Sequence, residues 1–134
     1  MTTSFDVEKT VRYWMEGAVY DLETGQTLLR SEKFPYALFF GHLALEKVLK
    51  ALVVKRTGEH APFSHSLLIL VRKAGLEMPE EMLDRLAEFM EFHTEARYPD
   101  EKMEFYKKCT PQFAREKFRD IRKVFAWCQK TLKP

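Results

Sequence analysis

Three ionisable residues recur on one face of an otherwise apolar segment. His42, Glu46 and Lys50 lie four residues apart within FPYALFFGHLALEKVLKALVV, residues 34–54. A spacing of four places side chains above one another on a helix. Burying ionisable groups is costly unless they find partners. The row therefore predicts an internal polar network, a subunit interface or a binding site.

A simpler interpretation is open for Glu46 and Lys50. Glutamate followed four residues later by lysine is the favourable order for an ion pair within one helix. His42 and Glu46 make a two-ligand pair at most, and the four histidines show no HxxxH or HExxH spacing. The sequence therefore predicts no metal site and no cofactor.

Two further polar features interrupt apolar stripes. Asp21 falls on the stripe of the first predicted helix, where it could pair with Lys47, Lys50 or Arg97 across the bundle. His93 and Arg97 continue the apolar stripe of the fourth predicted helix at steps of four. Because breaks in a hydrophobic pattern tend to mark functional or strained positions, we expect one cleft or interface to gather them. The residues expected around it are Asp21, Glu46, Lys50 and Arg97.

Helical periodicity fills almost the whole chain. Four long patterns and one short pattern cover about residues 6–29, 34–57, 66–74, 79–96 and 111–132. Prolines suit the first turns of three of these helices, and Gly58 and Gly75 suit the ends of two. No stretch alternates long enough to form a strand. Short connections favour antiparallel neighbours, so we predict an all-α protein: an up-and-down four-helix bundle with an additional short helix, five helices in a single domain over residues 1–134.

Two details of the connections bear on function. Either Ser64 or Ser66 can cap the short helix, and His65 between them can be read as a capping-region histidine. The segment ARYPDEKMEFYKKCT, residues 96–110, is the one stretch of irregular character. A loop of this length inside a compact bundle is more often functional than idle.

The amino-acid composition argues against some classes of protein and favours others. The chain has 134 residues and a formal net charge of +2, which argues against a DNA-coating protein. Charged residues interrupt every long apolar stretch, and no secretory signal is recognisable, so we expect a cytoplasmic protein without a membrane span. Cys109 and Cys128 lack metal spacing and are expected to be reduced thiols. Asparagine is absent, glutamine occurs three times and 31% of residues are charged, a thermophile bias.

The order of several motifs resembles the HEPN domain (higher eukaryotes and prokaryotes nucleotide-binding). The matching runs are Asp21-Leu22, FPYALFFGH, HLALEKVLKALVVKRTG, FSHSLLILV and EARYPDE, over about residues 7–132. The resemblance implies a bundle of four to five helices that usually dimerises. It also implies a neighbouring minimal nucleotidyltransferase as partner and, in several members, metal-independent RNA cleavage.

The ribonuclease branch of that family uses an arginine followed by four to six residues and a histidine. Arg97 matches the arginine, but the histidine window contains Lys102, Met103 and Glu104, and the spacing of Arg56 and His60 is too short. The chain therefore lacks the proton carrier at the expected place, and no catalytic residue is predicted. His93, one turn before Arg97, is a geometric substitute.

Three functions remain open. The leading hypothesis is a non-catalytic module that binds a nucleotide or RNA phosphate and works with a nucleotidyltransferase-type partner in a toxin–antitoxin-like pair. Arg97 would grip phosphate, Lys47 and Lys50 would add charge, Tyr98 would stack on a base, and Asp21 and Glu46 would orient the basic groups. The alternatives are an RNA endonuclease using a displaced histidine or Glu46 as base, and a purely structural partner. The full predicted ligand site is Asp21, His42, Glu46, Lys47, Lys50, His65, Arg97, Tyr98 and Asp100.

The second predicted helix also suggests an oligomeric state. Its apolar residues point in every direction, which exceeds what one small bundle is expected to cover. Together with the dimerisation implied by the family resemblance, this predicts a homodimer.

Overall fold

The computed structural model describes residues 5–99 and 103–133. Its helices are α1 (Val7–Arg30), α2 (Phe34–Thr57), α3 (Leu67–Ala74), α4 (Glu80–Glu95), α5 (Glu104–Lys108) and α6 (Pro111–Leu132). The described residues contain no strand. The four long helices and the short α3 confirm the predicted all-α bundle. None of the described helices is long and apolar enough to cross a membrane.

The helix ends follow local chemistry. The side chains of Asp6, Ser66 and Thr110 accept hydrogen bonds from main-chain N–H groups in the first turns of α1, α3 and α6. Ser66 rather than Ser64 therefore caps α3. Gly58 and Gly75 end α2 and α3 in the left-handed conformation that glycine adopts without strain.

The irregular segment predicted for residues 96–110 contains α5, a five-residue helix. Phe105 is buried against the ring of Phe92 on α4, at 5.7 Å between centroids. The Tyr106 hydroxyl donates a hydrogen bond to the Ala96 carbonyl at 2.6 Å. The sequence pattern missed α5 because one helical turn is too short to show periodicity, and its burial comes from tertiary packing.

α2 occupies the centre of the bundle. α1, α3, α4 and α6 all pack on it, and between Gly41 and Val54 only Leu43 and Lys47 are partly accessible. Four neighbouring helices therefore enclose this part of α2. Its first two turns stay partly uncovered, because Tyr36 is exposed and Phe39 and Phe40 are half-buried.

Glycines allow the long helices to approach closely. A Cβ on Gly41 of α2 would lie 2.7 Å from Ile121 Cδ1, and one on Gly25 of α1 would lie 2.8 Å from Phe118 Cε2. Both contacts are far inside van der Waals distance. α6 therefore packs tightly into the angle between α1 and α2 and holds α2 in place.

Candidate functional site

The row on α2 is buried, as its spacing predicts. His42, Glu46 and Lys50 are each at most 6% exposed. The Lys50 ammonium donates a hydrogen bond to Glu46 Oε2 at 3.0 Å and lies 5.1 Å from the centre of the Trp14 ring on α1. The simpler interpretation of an intrahelical ion pair thus holds for this carboxylate oxygen.

The other oxygen of Glu46 faces a different part of the chain. Glu46 Oε1 lies 2.9 Å from Nδ1 of His65, which precedes α3. The carboxylate is buried, whereas the imidazole of His65 is 65% exposed. The side chain that caps α3 is that of Ser66. His65 instead contacts the Glu46 carboxylate, so the capping interpretation does not account for its contacts.

His93 of α4 completes a group of three histidines. Its ring stacks on His65 with centroids 4.4 Å apart and lies 4.9 Å from the ring of His42. It also contacts Phe39 of α2, at 5.7 Å. Three segments distant in sequence therefore converge on Glu46.

Arg97 lies beyond the end of α4, at the exposed side of this group. Its Nη2 is 3.4 Å from both ring nitrogens of His93, which places the guanidinium over the imidazole rather than in line with one nitrogen. Its Nε donates to the His93 carbonyl, and its Cζ lies 5.1 Å from the rings of Phe39 and Tyr98. The expectation that Arg97 continues the buried stripe of this helix is wrong, because α4 ends before it and the side chain reaches solvent.

We define the polar cluster as His42, Glu46, His65, His93 and Arg97. Burial lowers the pKa of His42 to about 4, with the nearby Glu46 carboxylate opposing that effect. Burial would raise the pKa of Glu46, but hydrogen bonds from His65 and Lys50 outweigh it and hold this pKa below its ordinary value. Burial and the adjacent Arg97 charge lower the pKa of His93.

His42 is the least satisfied member of the polar cluster. It is fully buried, and neither ring nitrogen makes a well-formed hydrogen bond with the described residues. Its Nδ1 lies 4.0 Å from Glu46 Oε1, too far for a hydrogen bond. Buried polar atoms without partners are rare in proteins, so this histidine indicates a strained or functional position.

Asp21 and Lys47 form a separate pair between α1 and α2. Lys47 Nζ lies 2.8 Å from Asp21 Oδ2, and the two side chains are 32% and 8% exposed. This is one of the three pairings considered for Asp21. Asp21 therefore contacts Lys47, whereas Arg97 lies against His93, and the single cleft that would gather all four residues stays a prediction.

The remaining predicted residues differ in position. Tyr98 is 67% exposed beside Arg97. Asp100 lies outside the described residues. The sequence missed His93 as a neighbour of His65 and Glu46, and it predicted no metal site. Yet one ligand atom from each of Glu46, His65 and His93 lies within 4.8 Å of the others.

A comparison with known protein families shows to which family the chain belongs. The sequence profile described as "HEPN domain" matches residues 11–131. The chain belongs to the HEPN domain family.

Two solved structures share the HEPN fold found here. The crystal structure of TT1696 from Thermus thermophilus has a TM-score of 0.75 and 24% identity, covering 90% of this chain and 96% of that one.

The second solved structure is ST0689, described as an archaeal HEPN homologue. Its TM-score is 0.73 and its identity 23%, with 92% of this chain and 98% of that chain covered. No curated protein sequence matches the chain. Identities this low establish the HEPN fold, and the chemistry of the site has to come from this chain's own residues.

Proposed function

We propose that this HEPN domain binds the phosphate of a nucleotide or an RNA strand at the exposed side of the polar cluster. The main support for this proposal comes from the exposure and the contacts of Arg97. Its guanidinium is exposed and contacts His93, Phe39 and Tyr98. Within residues 5–99 and 103–133, no carboxylate forms an ion pair with it. A planar, solvent-exposed arginine fork suits a phosphate oxygen pair.

The local charge balance supports an anionic ligand. Glu46 is the carboxylate of the polar cluster, and Lys50 already neutralises it at 3.0 Å. Within the part of the chain that the structure describes, no carboxylate neutralises the charge of Arg97. Tyr98, exposed next to it, offers an aromatic face on which a base can stack.

Lys47 and Asp21 do not belong to the proposed site. They neutralise each other at 2.8 Å between α1 and α2. We therefore assign the phosphate contact to Arg97, the base contact to Tyr98, and the positioning of His65 and Lys50 to Glu46.

Binding of a fluorescent oligoribonucleotide and of ATP, each in the presence of EDTA, tests this proposal. We expect Arg97→Ala to weaken binding about 10- to 100-fold, since a hydrogen bond to a charged group contributes about 1.5–3 kcal/mol. Arg115→Ala is the matched control, because Arg115 is an exposed arginine on α6. Equal affinity of the native chain and Arg97→Ala would refute the assignment.

We also propose that the domain acts as a homodimer and cooperates with a nucleotidyltransferase-fold protein, as the family resemblance implies. Support for a self-association surface comes from α1, where Tyr13 and Tyr20 are 68% and 72% exposed and seven residues apart. Aromatic residues are enriched in protein interfaces. Light scattering should give twice 15.9 kDa for the native chain and 15.9 kDa for Tyr13→Glu/Tyr20→Glu, whereas Phe63→Ser should remain dimeric.

A second candidate function, RNA cleavage, is favoured by the contacts of two histidines. Glu46 orients His65 at 2.9 Å, and His93 lies against Arg97. In such a reaction one imidazole takes the proton of a 2′-hydroxyl, whose oxygen attacks the phosphorus. The 5′-oxygen leaves and receives a proton from the second imidazole.

RNA cleavage assays in EDTA separate the two functions. Since the family's histidine position is occupied by another residue type, we expect little cleavage and intact binding. Strong cleavage that His93→Ala abolishes would instead make the domain an endonuclease. Arg97→Ala would then reduce both binding and turnover.

A further inference from the structure

We propose that Glu46, His65 and His93 form a binding site for one divalent transition-metal ion of the Zn²⁺ type. This inference goes beyond the proposed phosphate binding and does not depend on it. Imidazole nitrogens and a carboxylate oxygen are the ligand types of three-ligand zinc sites, which leave a fourth position open. None of the three residues is near another in sequence, so the site exists only in the fold.

The ligand distances are suitable for a small ion. One donor atom from each residue lies within 4.8 Å of the other two, and His65 Nδ1 is already 2.9 Å from Glu46 Oε1. Zn–N and Zn–O bonds of about 2.0–2.1 Å place tetrahedral ligand atoms about 3.3–3.4 Å apart. The required rearrangement is small. His65 is the residue that can make it, because its side chain is 65% exposed.

His42 provides a second, independent indication. It is fully buried beside the three ligands, its two nitrogens lack well-formed hydrogen bonds, and its Nδ1 is 4.0 Å from Glu46 Oε1. An ion seated between Glu46 and His93 would give this nitrogen a partner, either directly or through a bound water. Such supporting groups behind the ligands are typical of metal sites.

Two neighbouring cations affect how tightly the site would bind a metal ion. Lys50 holds Oε2 of Glu46 and leaves Oε1 available, and Arg97 lies against the ring of His93. Both oppose a metal ion by Coulomb repulsion. Because Arg97 is exposed, it can turn into solvent. Arg97→Ala should therefore bind the metal roughly three- to tenfold more tightly than the native chain, whereas the same change weakens the proposed phosphate binding.

Calorimetric titration of Zn²⁺ into the full chain, free of affinity tags and treated with chelator, tests the site. We expect one ion per chain. His65→Ala and His93→Ala should each lower the affinity at least about tenfold, the smallest loss seen when groups around a metal are removed. His60→Ala is the matched control, because His60 is an exposed histidine that packs on Phe5, away from the polar cluster.

Co²⁺ as a coloured probe supplies a second measurement. We expect the absorption of a four-coordinate nitrogen and oxygen site, without a thiolate charge-transfer band, because the three proposed ligands include no cysteine. Absence of binding, or binding that His65→Ala and His93→Ala leave unchanged, would overturn the proposal. Circular dichroism of the two variants shows whether they keep the helical fold. RNA binding measured in EDTA tests the phosphate proposal separately, so failure of one does not imply failure of the other.

Discussion

The polar cluster and the α1–α2 ion pair differ in how their buried polar groups are paired. In the ion pair, Asp21 and Lys47 meet at 2.8 Å, and the lysine reaches solvent. In the polar cluster, Glu46 contacts Lys50 and His65 at once. Among residues 5–99 and 103–133, His42 makes no well-formed side-chain hydrogen bond and Arg97 forms no ion pair with a carboxylate. The first arrangement gives each charge an opposite charge in direct contact, although Asp21 Oδ2 makes no well-formed hydrogen bond with the described residues. The second leaves donors and acceptors available.

That difference suggests how to separate structural from functional polarity in this domain. An ion pair in which each charge directly contacts its opposite charge contributes modestly to stability. A buried group without a partner costs free energy, and a protein that keeps one is expected to gain something in function. Substitutions in the two regions should therefore change the free energy of unfolding by different amounts and in different directions.

The largest effect should come from Glu46→Ala. Removing this carboxylate leaves the Lys50 ammonium buried without its partner, since the lysine side chain is only 8% exposed. We expect the free energy of unfolding to fall by about 3–5 kcal/mol, the usual cost of breaking a buried ion pair. Urea denaturation followed by circular dichroism measures it. A loss below about 1 kcal/mol would show that Lys50 escapes to solvent.

Asp21→Ala should have a smaller effect. Lys47 is 32% exposed and can be solvated when its partner is removed. We expect a loss of about 1–3 kcal/mol in the same denaturation experiment. If Asp21→Ala destabilised the fold more than Glu46→Ala, the distinction between the two regions would fail.

His42→Leu should change stability in the opposite direction. Leucine has a similar size and buries no unpaired nitrogen, so we expect a gain of about 1 kcal/mol near neutral pH. Asp21→Leu is the contrasting variant and should be destabilising, because it removes the charge that Lys47 contacts at 2.8 Å. A loss of stability in His42→Leu would mean that the imidazole has a partner after all.

The pH dependence of His42→Leu sharpens this test. The pKa of His42 is about 4 in the folded chain against 6.5 ordinarily, with Glu46, His65 and His93 facing it. Between these values the unfolded chain binds a proton that the folded chain excludes, so stability falls as pH drops from 6.5 to 4. Measured in chelator, the leucine variant should lose less stability over that window than the native chain.

The smallest effect is expected for an exposed pair. Lys108 Nζ lies 2.8 Å from Glu91 Oε1, and both side chains are at least 40% exposed. Glu91→Gln should change the free energy of unfolding by less than about 1 kcal/mol. A larger loss would indicate that this pair anchors α5 to α4.

Several features of the fold could be predicted from the sequence because they are local. Helical periodicity, capping side chains and the glycines at helix ends determine α1, α2, α3, α4 and α6, since the helix repeats every 3.6 residues. The row of His42, Glu46 and Lys50 was visible for the same reason. The family resemblance, which the sequence profile confirms, came from the order of such local motifs.

Only the tertiary structure decided which polar residues meet. Asp21 had three possible lysine and arginine partners, and packing of α1 on α2 selected Lys47. Glu46, His65 and His93 come from three separate segments, so no spacing along the chain could place their donor atoms within 4.8 Å. Helix formation depends on neighbours in sequence, whereas the contents of a site depend on how the finished helices pack.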